Sequence, residues 1–198
     1  MQRNEVFNKY QELFLEKNHF LNLISKNDEK YLYEKHIFDS LSIKHFFEKY
    51  PNNYKTLLDI GTGGGFPALP IAIEYPEISV VGIDSIAKKI NAITDIAKEL
   101  NLKNFIAICD RVENIKNKKF DIITSRAVAK IDIIVKYAMP LLNKGGYLII
   151  YKAKNVQDEI KSAEFSLKKN KAKVVDIIEY QLPTEEVYER NLVIISHV

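Results

Sequence analysis

Leu57-Leu58-Asp59-Ile60 runs directly into Gly61-Thr62-Gly63-Gly64-Gly65, so four of the chain's seven glycines fall within five residues. A short apolar run ending in glycines reads as a buried parallel strand that leaves its sheet for a tight loop. Downstream the pattern alternates. Strands are expected over 79–84, 104–108, 120–125 and 145–151, helices over 86–100, 130–142 and 156–170, and strands over 172–181 and 190–196. Such alternation predicts a doubly wound α/β sheet. Upstream, Val6, Tyr10, Leu13 and Phe14 recur at helical spacing, as do Leu32, Ile37, Leu41 and Phe46, until Pro51-Asn52-Asn53 breaks the pattern. Two helices within 1–50 therefore precede an α/β core over 56–198, all in one domain.

With 198 residues and 46% hydrophobic content, the chain can bury a core of its own. A net charge of +3 leaves nucleic acid open as a partner, provided a local basic face does the binding. The single cysteine, Cys109, cannot form an internal disulfide, and no Cys/His cluster suggests a metal. No stretch approaches the roughly 20 apolar residues that span a membrane, and Met1-Gln2-Arg3-Asn4-Glu5 opens no apolar signal core. The expectation is a soluble cytoplasmic protein that acts as a monomer. Lys116-Asn117-Lys118-Lys119 and Lys168-Lys169-Asn170-Lys171 read as solvated loops.

In a doubly wound sheet the ligand lies beyond the carboxyl ends of the strands, where the winding reverses. Gly61 and Gly63 are at that place, and the helix expected from Phe66 would present free N–H groups to a nucleotide-type ligand. A dinucleotide fingerprint would need glycine at 66, where this chain has phenylalanine; the G-x-G-x-G spacing suits a methyl donor without a pyrophosphate. Asp84, ending the second strand, can accept both ribose hydroxyls or can cap the next helix. Val112 and Glu113 follow the third strand at the height of an adenine ring. The fourth strand delivers Ser125-Arg126-Ala127, with neither the Asn/Asp-proline-aromatic set of an exocyclic-amine methylase nor a cysteine nucleophile. No catalytic base is identified, and guanine N7 needs none, because its lone pair carries no proton. Arg126 could hold a carboxylate of the methyl donor, an RNA phosphate, or an acid of the strand ends.

Asn22-Leu23, His36-Ile37-Phe38-Asp39-Ser40-Leu41, the stretch from Leu58 through Gly65-Phe66-Pro67, Asp84-Ser85, Arg111-Val112-Glu113, Ser125-Arg126-Ala127, Lys152 and Arg190-Asn191-Leu192-Val193 occur in order. Together they resemble the ribosomal RNA small subunit methyltransferase G family, also called glucose-inhibited division protein B. The resemblance covers nearly the whole chain. It implies a Rossmann-like class I S-adenosylmethionine methyltransferase fold, with a seven-stranded, mostly parallel sheet, an antiparallel C-terminal hairpin and an N-terminal helical extension. It also implies S-adenosyl-L-methionine as cofactor and N7 of a guanosine in the decoding-region loop of 16S rRNA as acceptor. The family's donor contacts fall on Gly61, Phe66, Val112, Glu113 and Arg126; RNA contacts are expected from Lys152 and Arg190, while His36 either helps present RNA or is a hydrogen-bonded histidine of helix packing. Ala68 and Ala153 stand where the family usually has glycine. A nucleotide-binding oxidoreductase and a catalytically silent RNA- or partner-binding module on the same fold are the competing readings.

Overall fold

In the computed structural model, residues 3–198 are described. Seven strands, β1 (Thr56–Ile60), β2 (Ser79–Asp84), β3 (Phe105–Cys109), β4 (Phe120–Arg126), β5 (Leu142–Ala153), β6 (Ala172–Leu182) and β7 (Tyr188–His197), form one sheet in the order β3-β2-β1-β4-β5-β7-β6. β1 to β5 are mutually parallel, and β7 runs antiparallel to both β5 and β6. The chain starts in the middle of the sheet, winds out to β3 and returns to β4 on the other side of β1. That reversal opens a crevice above the carboxyl ends of β1 and β4.

Among the described residues seven α-helices accompany the sheet: α1 (Arg3–Leu21), α2 (Asp39–Leu41), α3 (Lys44–Lys49), α4 (Ala68–Glu74), α5 (Ala87–Glu99), α6 (Ile131–Ala138) and α7 (Gln157–Lys169). Neighbouring strand residues serve opposite faces. Leu57 and Ile122 join a core with α1, α4 and α5, whereas Leu58 and Ile123 join one with α6 and α7. Because both faces are covered, the central strands are buried along most of their length, and each fully buried leucine or isoleucine contributes about 2 kcal/mol.

The structure differs from the expected elements in two instructive places. The helix expected over 31–50 is instead a 3₁₀ turn (Lys26–Tyr31), a π-helix (Leu32–Phe38), and the short α2 and α3. Its buried residues explain this, since Leu32 and Ile37 stand five apart, the π repeat, and Ser25 starts the segment by accepting from Asp28 N. Ser40 and Ser42 then bond back to the His36 and Phe38 carbonyls. Second, α6 stops at Ala138 because Pro140 cannot continue it, and β5 begins already at Leu142. A register shift against β4 follows, where a Cβ on Gly146 would lie 2.6 Å from the Asp121 carbonyl oxygen. Ala68 and Ala153 both take backbone conformations open to any residue, so the missing glycines there distort nothing.

Candidate cofactor cleft and its acceptor side

The glycine loop is tied to β2 at both of its first residues: Gly61 N and Thr62 N donate to the Ile83 carbonyl at 2.9 and 3.0 Å. Gly61, Gly63 and Gly65 have φ of +69°, +54° and +90°, which L side chains rarely adopt. A Cβ on Gly61 would also collide with Val128. The expected helix from Phe66 is corrected here. Phe66 N is bonded to the Thr62 carbonyl at 3.2 Å, Pro67 has no N–H, and α4 starts only at Ala68. The loop's shape, rather than a helix end, makes the cradle.

Asp84 does not cap α5, whose N-cap Ile86 has no side-chain cap; it closes a turn two residues on and holds the glycine loop. Its Oδ1 accepts from Ile86 N at 2.9 Å and its Oδ2 from Gly63 N at 3.0 Å. A carboxylate has about four lone-pair sites, so acceptor capacity remains. Two cavities, of about 310 and 350 Å³, flank this point and share Gly61, Asp84 and Val128 as lining. Val112, Glu113 and Tyr137 line the first; His36, Gly63, Phe66, Lys89 and Arg126 line the second. The structure thus brings the seven expected cofactor residues around one divided cleft. Val128, 45% exposed, stands over Gly61 at the division. Cys109, exposed at the end of β3, pairs in register with Asp84.

On the side toward β5 and β7 the cleft is walled by charge. Asp39, at the start of α2, is buried, and its carboxylate takes Arg126 Nη1 at 2.9 Å, Arg190 Nε at 3.1 Å and the Tyr180 hydroxyl at 2.6 Å. The two guanidiniums hold this acid below the usual carboxylate range despite its burial. Arg126 also donates to the Lys35 carbonyl, lies 3.0 Å from His36 Nδ1 and sits over the Phe66 ring at 5.2 Å. Burial first, then Arg126, lowers His36 to about 4, so its ring is neutral at physiological pH. Its Nε2 is buried without a hydrogen-bond partner among the described residues. Asp59, at the end of β1, is wholly buried, and desolvation raises it to about 7. Thr124 donates to its Oδ1 at 2.9 Å, while Oδ2 faces the Thr62 hydroxyl without a well-formed bond.

Of the three residues expected to meet RNA, each has an internal partner. Lys152 Nζ bonds Glu159 at 2.6 Å and the Ala129 carbonyl at 3.2 Å, and the same Glu159 oxygen accepts from Ile131 N at the start of α6. Arg190 is committed to Asp39, and His36 to Arg126. Sequence reasoning missed Asp39 as the hub of this wall. The signal available was one acid in the His36-to-Leu41 block and three arginines in later blocks, with no distance to join any of them.

A family model described as rRNA small subunit methyltransferase G matches residues 3–192. The protein named Ribosomal RNA small subunit methyltransferase G from Lachnoclostridium phytofermentans is 37% identical over 199 residues, covering 98% of this chain and 81% of that protein. Its namesake from Listeria monocytogenes serovar 1/2a is 35% identical, with 96% and 81% covered. Among solved structures, magnesium protoporphyrin IX methyltransferase from Synechocystis with bound SAM superposes with a TM-score of 0.65 at 16% identity, covering 87% of this chain and 85% of that one. M. jannaschii TYW2 in complex with AdoMet gives 0.61 at 16% identity, with 81% and 77% covered. These two likenesses show the fold.

Proposed function

Since the chain belongs to the rRNA small subunit methyltransferase G family, we propose that it binds S-adenosylmethionine in the divided cleft and methylates N7 of a guanosine in the decoding-region loop of 16S rRNA. The residues fit that cofactor: the positive-φ glycines Gly61 and Gly63 bring loop backbone to the cavity lining, and Asp84 retains acceptor capacity between the two cavities. When bound, S-adenosylmethionine supplies an electrophilic methyl group on a sulfonium. Asp84 would accept the ribose hydroxyls, and Val112 and Glu113 would border the adenine. Arg126 uses three of its N–H donors on Asp39, Lys35 and His36, which leaves two of five for the methionine carboxylate.

One observation carries the N7 reading: the side chains bonded to Arg126 or beside it on its strand, Asp39, His36 and Ser125, are already committed. Asp39 is held ionised by two guanidiniums, His36 has Nδ1 against Arg126, and Ser125 donates to the Ile60 carbonyl. A nucleophile that carries no proton, as guanine N7 is, needs only alignment and exclusion of water from such a site. Nucleoside mass spectrometry of 16S rRNA, incubated as small subunits with the protein and methyl donor, should show 7-methylguanosine appearing. Methyl appearing on another nucleoside, or on no RNA, overturns the reading. The same reading has the protein work as a cytoplasmic monomer, which sedimentation at working concentration checks.

A further inference from the structure

With Arg190 held by the buried Asp39, the cleft's RNA-facing charge calls for lysines on its rim. Two tyrosines far apart in the chain share one lysine there: Lys35 Nζ lies 4.5 Å from the Tyr31 ring centroid and 4.9 Å from that of Tyr188. Lys30 Nζ stands 4.7 Å over Tyr31 as well. Tyr188 is 39% exposed and Lys30 is exposed. The position is next to the site. The segment carrying Tyr31 and Lys35 lines the Arg126 cavity through Asp28 and His36, and the Lys35 carbonyl is itself bonded to Arg126.

We propose that this lysine-tyrosine rim is the docking surface for the unpaired RNA strand flanking the target nucleotide, an inference that rests on the rRNA reading above. Unpaired bases offer π faces, and tyrosine rings stack on them whatever the base. Phosphates between successive bases call for cations spaced among the rings, and Lys30 and Lys35 are so placed. Asp28, 3.5 Å from Lys35, neutralises part of this charge; such a part-exposed pair is weak and gives way to a phosphate. Because the rim joins the π-helical segment to the start of β7, a strand lying on it passes over the Asp39 wall, beside Arg126.

The test uses the full chain, a short fluorescein-labelled single-stranded RNA read by anisotropy, and calorimetric titration with S-adenosylhomocysteine. Tyr31→Ala and Tyr188→Ala should each weaken RNA binding about tenfold, the stacking of one base, with S-adenosylhomocysteine affinity unchanged. Tyr31→Phe and Tyr188→Phe keep the ring and should bind as the parent does. Lys35→Met should lower the slope of log affinity against log salt by about one. In methylation of small subunits the tyrosine-to-alanine losses should appear in KM, with kcat held. The surface is overturned if both alanine variants bind RNA like the parent, if the phenylalanine variants lose as much as the alanine ones, or if cofactor affinity falls in step. A parent that methylates 16S rRNA while all variants match it overturns the surface alone; a parent that neither binds nor methylates RNA overturns the rRNA reading with it.

Discussion

The glycine-loop side of the cleft is built from backbone and the Arg126 side from buried charge. Between β1 and β2 the loop is fixed by peptide N–H groups on the Ile83 carbonyl and on Asp84, with glycines supplying the shape. Between β4 and β7 the wall is one carboxylate shared by two guanidiniums and a phenol. A backbone cradle tolerates change in its surroundings but little at its own residues. A buried charge cluster behaves oppositely, because removing one member leaves the others unpaired in low dielectric.

The sharpest way to break this contrast is Asp39→Asn, which keeps shape and strips the charge facing Arg126 and Arg190. Urea unfolding should show a loss of about 3–5 kcal/mol. Adding Arg190→Met should cost less than the sum of the two single changes, since it removes a stranded cation. A loss below about 1 kcal/mol, the range of an exposed pair, would mean that the wall is not held by charge.

Next in size is a pH effect that the parent conceals. Asp59 is raised to about 7 from 3.8, so the native state prefers it protonated and stability falls as pH rises from about 4 to 7. His36 is lowered to about 4 from 6.5, so the native state prefers it neutral and stability rises over nearly the same interval. The two slopes oppose each other. Each amounts to on the order of 3 kcal/mol before solvent relaxation, and together they should leave a nearly flat profile. Asp59→Asn should unmask stability rising with pH between 4 and 6.5, and His36→Gln should unmask the reverse; parallel profiles in the two variants would refute both assignments.

Gly61→Ala probes the cradle directly. Positive φ costs a non-glycine residue about 1–2 kcal/mol, and Val128 blocks the new methyl besides. Calorimetry should find S-adenosylhomocysteine binding weakened at least about tenfold by that strain at the binding surface. Val128→Ala in the same chain should recover only part of the loss, because it relieves the collision and leaves φ unchanged. Full recovery would make the loop's conformation irrelevant. Smallest of all should be Lys152→Met, which breaks a part-exposed pair with Glu159 and should shift stability by about 1 kcal/mol or less. A loss as large as that of Asp39→Asn would put Lys152 in the charged wall too.

The same contrast explains what could be read from the chain before its fold was seen. Glycine spacing, strand ends and the residues just beyond them are local, so Gly61, Gly63, Asp84, Val112 and Glu113 converge as expected. Asp39 meets Arg126 across 87 residues and Arg190 across 151, and no periodicity encodes such a meeting. The π segment was hidden for another reason: apolar residues at 32, 37, 41 and 46 fit a helical stripe closely enough to conceal one widened turn. Lys152 stands near the end of β5, a place that by itself leaves the side chain's partner open. Its partner Glu159 sits on the following helix, and which rotamer wins depends on packing that spacing does not specify.

The strand order β5-β7-β6 has a consequence for synthesis. β6 is made before β7 but lies outside it, and β5 meets no neighbour on that side except β7. While the polypeptide is still being extended, the growing chain holds two unpaired strand edges, and Asp39 and Arg126 wait without Arg190. Open edges recruit other chains. Nascent chains paused before residue 188 therefore lack the strand that fills the gap between β5 and β6 and closes both edges.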